Sequence, residues 1–267
     1  MLWLQILILA VIQGVGEFLP ISSSGHLVVG IALFEQFDRK ISEPLTVNVL
    51  LHVGTLLAIL VFYRRRIVRL LGRDRRMIPL LIVGTIPAVV VGLAVEMGPI
   101  ADTLKTYLES ALVAGWMFPV TGLILLWSAR HEPGEGTCRE LTYRSALLIG
   151  VAQAFAVLPG ISRSGATIVT GLRVGLRRDE AATFSFLLAI PVIVAAGAYK
   201  SLLLLREPTE TTSLGVLAVG LLVSFVVGLA ALRWLIRWLD QGKLHWFAWW
   251  VIPLGVAVLA WQMSSGV

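Results

Sequence analysis

Six stretches of this chain, about 44–63, 77–97, 107–129, 181–204, 213–238 and 245–264, are each apolar and long enough to cross a bilayer, which takes about 20 residues. A water-soluble domain carries about a quarter charged residues. Here 14% are charged against 57% hydrophobic, with a mean hydropathy of +0.87. The expected fold class is an all-α integral membrane protein. A pI near 10.0 and a net charge of +6 invite a nucleic-acid partner. The basic residues instead cluster in short loops between the spans, as topology signals do, so no nucleic acid is expected. The single cysteine, Cys138, excludes an intrachain disulfide and argues against a cysteine-based metal site. The start, Met-Leu-Trp-Leu-Gln, lacks a positive n-region and a cleavage pattern before Gln13, unlike a removable signal peptide.

Two further apolar stretches, about 2–34 and 143–175, are broken near their middles. The breaks are Ile21-Ser22-Ser23-Ser24-Gly25-His26 and Ile161-Ser162-Arg163-Ser164-Gly165-Ala166, 140 positions apart. Gln13 and Gln153 match at the same offset, as do Val11 and Val151. Irregular polar backbone at bilayer depth survives only where protein buries it or it lines a wet cavity. Its occurrence in both halves points to a binding site at a repeat interface. Arms of about a dozen residues are too short to cross, which favours re-entrant helical hairpins over pairs of spans. Each hairpin returns the chain to its starting side and three spans then carry it across. The second hairpin therefore enters from the opposite face. The expectation is one membrane domain, 1–267, of two inverted repeats, 1–129 and 143–264.

Charge checks this layout. The loops 64–76, 130–144, 173–180 and 233–243 fall on one side with 16 of the 22 Lys and Arg residues. The other side holds five: Arg39, Lys40, Lys105, Lys200 and Arg206. Arg163 lies inside the second hairpin. The positive-inside rule makes the richer side cytoplasmic and places both termini outside, although full spans in place of the hairpins give the same sidedness. The Arg64–Arg76 run reads as an anchor at the lipid headgroups.

In the first hairpin the non-apolar residues are Gln13, Glu17, Ser22, Ser23, Ser24 and His26. Gln13 and Glu17, four apart, share a helix face. Ser23 and His26, three apart, bring a hydroxyl near an imidazole if helix resumes after Pro20. An unpaired carboxylate in an apolar segment is costly, so Glu17 reads as functional. The plainer alternatives are a protonated Glu17 donating between helices and an interhelical His26 with no chemistry. In the second hairpin Val157 stands at the place of Glu17, Ala166 at that of His26, and Arg163 at that of Ser23. Pro159-Gly160-Ile161-Ser162-Arg163-Ser164-Gly165-Ala166-Thr167 reads as a turn and a helix start, with proline ending the incoming helix and serine capping the next. Exposed N–H groups and a positive helix end favour an anion, and Arg163 adds planar donors suited to phosphate. Thr167 lies one turn on. The competing reading pairs Arg163 with Glu17 solely to assemble the halves. If the tips meet, a phosphate fits between them, an arrangement suited to phosphoryl transfer.

The element Gln13-Gly14-Val15-Gly16-Glu17-Phe18-Leu19-Pro20-Ile21-Ser22-Ser23-Ser24-Gly25-His26 resembles the Glu/Gln-x-x-x-Glu and Ser-Ser-x-Gly-His signature of undecaprenyl-pyrophosphate phosphatases, the bacitracin-resistance family. The Pro159–Thr167 segment resembles its second signature, Pro-Gly-x-Ser-Arg-Ser-x-x-Thr, and Phe184–Pro191 is also similar to that family. The resemblance spans essentially the whole chain. It implies release of inorganic phosphate from undecaprenyl pyrophosphate, recycling the carrier lipid for peptidoglycan synthesis in the bacterial plasma membrane. It further implies two re-entrant hairpins in inverted repeats, a site open to the outer, periplasmic side, and a divalent cation, Mg²⁺ or Ca²⁺. By position, Glu17 and Arg163 are the essential polar groups, with Glu17 the metal ligand. Ser23 or His26 is nucleophile or base, and Gln13, Ser22, Gly160, Ser162, Ser164 and Thr167 line the phosphate. Attack by Ser23 with His26 as base, by His26 itself, or by water stays open.

Two departures stand out. Gln13 occupies a position that is often Glu, which removes a metal ligand, and His52 stands where many members have Gln. A lipid flippase is the alternative from another class, since broken helices in inverted repeats are a transporter signature. A structural scaffold leaves Glu17 and Arg163 unexplained. Trp3, Trp246, Trp249 and Trp250 read as interface anchors. Oligomeric state is not legible, a homodimer being left open.

Overall fold

The computed structural model describes residues 2–37, 44–130, 132–206 and 213–264. Arg39 and Lys40 lie outside the described residues, as does the side chain of Arg206. Helices α1 (Leu2–Gly16) and α2 (Ser23–Gln36) form the first hairpin. Helix α3 (Pro44–Phe62) bends by 74° into α4 (Arg64–Leu70). Helices α5 (Met77–Met97), α6 (Ala101–Leu108) and α7 (Ala111–Ser128) follow. The second hairpin is α8 (Tyr143–Phe155) and α9 (Arg163–Arg173). It leads into α10 (Arg178–Arg206), α11 (Leu214–Asp240), a 3-10 turn (Leu244–Phe247) and α12 (Ala248–Ser264).

The chain is an all-α integral membrane protein. Among the described residues five helices, α5, α7, α10, α11 and α12 with its 3-10 turn, are long and apolar enough to cross a bilayer, or six if the bent α3–α4 pair is one span. One boundary differs from the hydropathy reading of 107–129. Asp102, Lys105 and Glu109 put a separate amphipathic α6 before the crossing helix, and Ser110 caps α7 by accepting from Val113 N at 3.4 Å. Helix α10 also starts earlier than 181, with Asp179 and Glu180 in its first turn, where acidic groups favour the positive helix end.

The hairpin arms have 15, 14, 13 and 11 residues. At about 1.5 Å per residue none reaches the roughly 30 Å of a hydrocarbon core. Within each hairpin the two arms pack on each other. The outer half of α1 shares an apolar cluster with the starts of α3 and α11: Ile6 and Leu9 meet Val47, Leu51 and Val216. The chain leaving the second hairpin lies by the far end of α3, where Arg66 of α4 pairs with Glu180 at the head of α10. The open ends of the two hairpins thus adjoin opposite ends of α3.

Helix α1 packs on α11, α8 packs on α5, and α7 packs along α12. Lipid tails are as apolar as leucine, so such contacts rest on close fit rather than hydrophobic drive. Small residues supply that fit. Gly115, Gly122 and Gly255 bring α7 and α12 together, and Gly84 meets Gly150 where α5 crosses α8.

The basic loops converge at one end of the bundle. Glu180 takes a paired contact from Arg66 and the backbone N–H of Cys138 at 2.9 Å. Fully buried Asp74 pairs with Arg139, with Arg66 at 3.7 Å. This network fastens α4, the interhalf linker and the head of α10. Burial and the adjacent Glu180 carboxylate push the Cys138 thiol up.

Candidate active site

Both hairpins turn by the same device. Helical bonding in the first persists to Leu19 N, Pro20 interrupts it, and Ser22 restarts it as the cap of α2, accepting from Gly25 N at 3.3 Å. Ser22 has φ +70, a conformation costly for a residue with a Cβ. In the second hairpin Gly160 takes φ +95 without that cost, and Ser162 caps α9, accepting from Gly165 N at 3.1 Å.

The tips touch. Ser22 Oγ also accepts from Gly160 N across the two halves at 3.1 Å, and Ser164 Oγ donates to Leu19 O at 3.3 Å. A Cβ added at Gly25 would sit 2.6 Å from Gly160 N, so only glycine lets the tips approach this far. Thr121 of α7 braces the second tip, donating to Gly160 O at 2.7 Å and accepting from Ser162 N at 3.0 Å. Two helix N-termini therefore converge on one buried spot. Each brings N–H groups left over from its first turn and a partial positive charge. Both helix starts have the geometry that favours anions.

Beside it lies Glu17, 9% exposed. Its Oε1 accepts from Arg163 Nη2 at 2.6 Å, and its Oε2 accepts from Ser23 Oγ at 3.0 Å and Gln13 Nε2 at 3.1 Å. His52 Nε2 stands 3.9 Å from Oε2, while its Nδ1 bonds Asn48 O. The carboxylate is thus paired and hydrogen-bonded, the condition under which an ion persists out of water. Arg163 also donates from Nη1 to Ser185 O at 3.4 Å and lies over the Phe186 ring at 5.7 Å. Thr167 donates to Arg163 O at 2.7 Å and meets Ser185 Oγ at 2.6 Å.

Residues from both halves are therefore gathered: Gln13, Glu17, Ser22 and Ser23 with Gly160, Ser162, Arg163, Ser164 and Thr167. His26 belongs to the same tip but does not bond Ser23. Its Nδ1 meets Ser22 O at 2.7 Å, and its Nε2 accepts from Trp250 Nε1 of α12 at 3.0 Å. Pattern reading missed Ser185, Thr121 and Trp250. The first two sit in apolar helices with nothing in their spacing to mark them, and the third looked like an interface anchor.

The donor set suits a cation that arrives with its phosphate. Hard cations take oxygen ligands, and Mg²⁺ commonly uses one or two carboxylates plus phosphate oxygens. Glu17 supplies one carboxylate, and buried Gln13 Oε1 has no hydrogen-bond partner. Among the described residues no group of three or more His, Cys, Asp or Glu could hold a metal alone.

A cavity of about 510 Å³ reaches this region, with Ser24 and His52 in its wall. Its rim carries Glu35, Asn48, Glu96, Lys105, Glu109 and Lys200, from the end of the bundle opposite the arginine-rich network.

Comparison with known proteins places the whole chain in one family. Residues 6–257 match the family described as bacitracin resistance protein BacA. The chain is 48% identical over 257 residues to the undecaprenyl-diphosphatase of Rhodopirellula baltica, covering 96% of each chain. It is 40% identical over 264 residues to undecaprenyl-diphosphatase 4 of Bacillus cereus, covering 98% of each. It is 37% identical over 264 residues to the undecaprenyl-diphosphatase of Pelotomaculum thermopropionicum, covering 96% of this chain and 95% of the other. Two signatures, their contact across the halves, and matches along nearly the full length assign the chain to the bacitracin resistance protein BacA family.

Proposed function

We propose that this protein hydrolyses undecaprenyl pyrophosphate to undecaprenyl phosphate and inorganic phosphate, returning the carrier lipid to cell-wall glycan synthesis. One observation carries the reading: a carboxylate from one hairpin holds both the Ser23 hydroxyl and the Arg163 guanidinium of the other. A nucleophile, its proton acceptor and a phosphate clamp then share one point, where two helix N-termini stabilise added negative charge.

The incoming distal phosphate draws Arg163 from Glu17 and seats against the N–H groups after Ser22 and Ser162. Ser23 Oγ attacks the distal phosphorus, and its proton passes to the carboxylate it already bonds. The bond from phosphorus to the bridging oxygen breaks, and undecaprenyl phosphate leaves. Water then attacks the phosphoserine, giving its proton to His26, while the P–Oγ bond breaks and Glu17 returns its proton to Ser23 Oγ, releasing inorganic phosphate. A divalent cation held by Glu17 and Gln13 Oε1 would neutralise charge on the pyrophosphate oxygens.

The halves are read as inverted repeats, supported by hairpins whose open ends adjoin opposite ends of α3 and by the exchange of α1 onto α11 and α8 onto α5. The arginine-rich end is placed in the cytoplasm by the positive-inside rule, so the cavity opens outward from a bacterial plasma membrane. The test is phosphate release from undecaprenyl pyrophosphate by purified protein, with chelator or Mg²⁺, beside Glu17→Ala and Arg163→Ala. Metal-dependent release lost in both folded variants supports the reading. No release from folded wild type would sink it and move lipid transport to first place.

A further inference from the structure

The imidazole of His26 is constrained on both nitrogens by groups whose roles are unambiguous. Ser22 O, 2.7 Å from Nδ1, can only accept, so Nδ1 carries the proton. The Trp250 indole N–H, 3.0 Å from Nε2, can only donate, so Nε2 presents its lone pair. Either contact alone selects the Nδ1–H tautomer, and the two agree. The rings of His26 and Trp250 lie nearly parallel, 7° apart with centroids separated by 6.2 Å, while Phe118 of α7 meets the imidazole at a steep angle, centroids 5.0 Å apart. The imidazole is therefore fixed in orientation as well as in protonation site.

Trp250 is 55% exposed in the first turns of α12, and its neighbour Trp249 is 76% exposed. An indole serving only as an interfacial anchor directs its N–H to headgroups or water. This one spends it on the single basic nitrogen of the reactive tip. We propose that Trp250 is the positioning residue for His26, holding Nε2 unprotonated and fixing the ring at the tip of the first hairpin. The inference rests on the phosphatase reading for its consequence, because that reaction needs a base for water after the prenyl phosphate departs. When the indole gives way, the nitrogen it releases is already in the base form.

The test is Trp250→Phe, which keeps an aromatic ring on α12 but removes the donor together with the five-membered ring. In ¹⁵N spectra of substrate-free protein, the signals lost in His26→Gln identify the imidazole. Wild type should show protonated Nδ1 and unprotonated Nε2, and Trp250→Phe should lose that single-tautomer signature. With undecaprenyl pyrophosphate, kcat should fall about ten-fold or more while KM stays within about two-fold. An unchanged His26 spectrum in Trp250→Phe would overturn the proposal. So would an altered spectrum with unchanged kcat, or a raised KM with kcat intact, which would leave the indole a lipid contact only. A wild type without turnover would remove the reaction reading alone, since the substrate-free spectrum still decides whether Trp250 sets the tautomer.

Discussion

Deleting the two charges that join the hairpins, singly and together, should give stability costs that do not add. Glu17 and Arg163 meet at 2.6 Å with side chains 8% and 17% exposed. Glu17→Leu strands a guanidinium that cannot deprotonate and keeps only the 3.4 Å bond to Ser185 O and the Phe186 ring. Removing one partner of a buried pair costs about 3–5 kcal/mol. Arg163→Met is milder, because Glu17 keeps Ser23 and Gln13 as donors and can take up a proton. Its cost should stay near the roughly 1–3 kcal/mol of an unmade buried hydrogen bond. The double variant replaces both charges with apolar groups and should cost less than Glu17→Leu alone. The assay is denaturant unfolding of purified protein in micelles, followed by tryptophan fluorescence. Costs that add to within about 0.5 kcal/mol would refute the pair as the joint between the halves. Turnover should vanish in all three variants, so activity and stability separate cleanly.

Ser23→Ala should abolish phosphate release while leaving lipid binding, measured with a non-hydrolysable pyrophosphate analogue; retained turnover would move the nucleophile to His26 or water. Ser22→Ala loses both the cap to Gly25 N and the bond from Gly160 N, and should lower unfolding free energy by about 1–2 kcal/mol. Cys138 should resist maleimide in the folded protein near pH 8 and react on unfolding, since the attacking thiolate forms only above a pKa that burial and Glu180 raise. Rapid labelling of folded protein would contradict the packed network around Glu180. EDTA should stop turnover, with recovery on adding Mg²⁺, and leave the melting temperature unchanged, because the chain offers one carboxylate rather than a closed metal site.

The spans were legible because a stretch of twenty apolar residues has few places to go. The hairpins were legible because serine, glycine and charge have no business at bilayer depth unless the chain turns there. Which partner each polar group takes was not legible. Glu17, Ser23 and His26 sit within ten positions of one another, and spacing alone allows Ser23 to bond either neighbour. The choice of Glu17 depends on the unusual backbone of Ser22, which turns the start of α2 against the end of α1. Trp250 was hidden for a different reason: its partner lies 224 positions away, and an aromatic residue near a span end carries no mark of what its N–H will meet.

The exchange of supports between the halves has a consequence for biogenesis. The first hairpin lies on α11, which is translated some 200 residues after α1 ends. At about 5–20 residues per second the ribosome needs roughly 10–40 s to supply it. Until Arg163 is made Glu17 lacks its guanidinium, and until α11 follows, α1 of the first hairpin has only α3 behind it, so the hairpin must wait at the insertion machinery or near water.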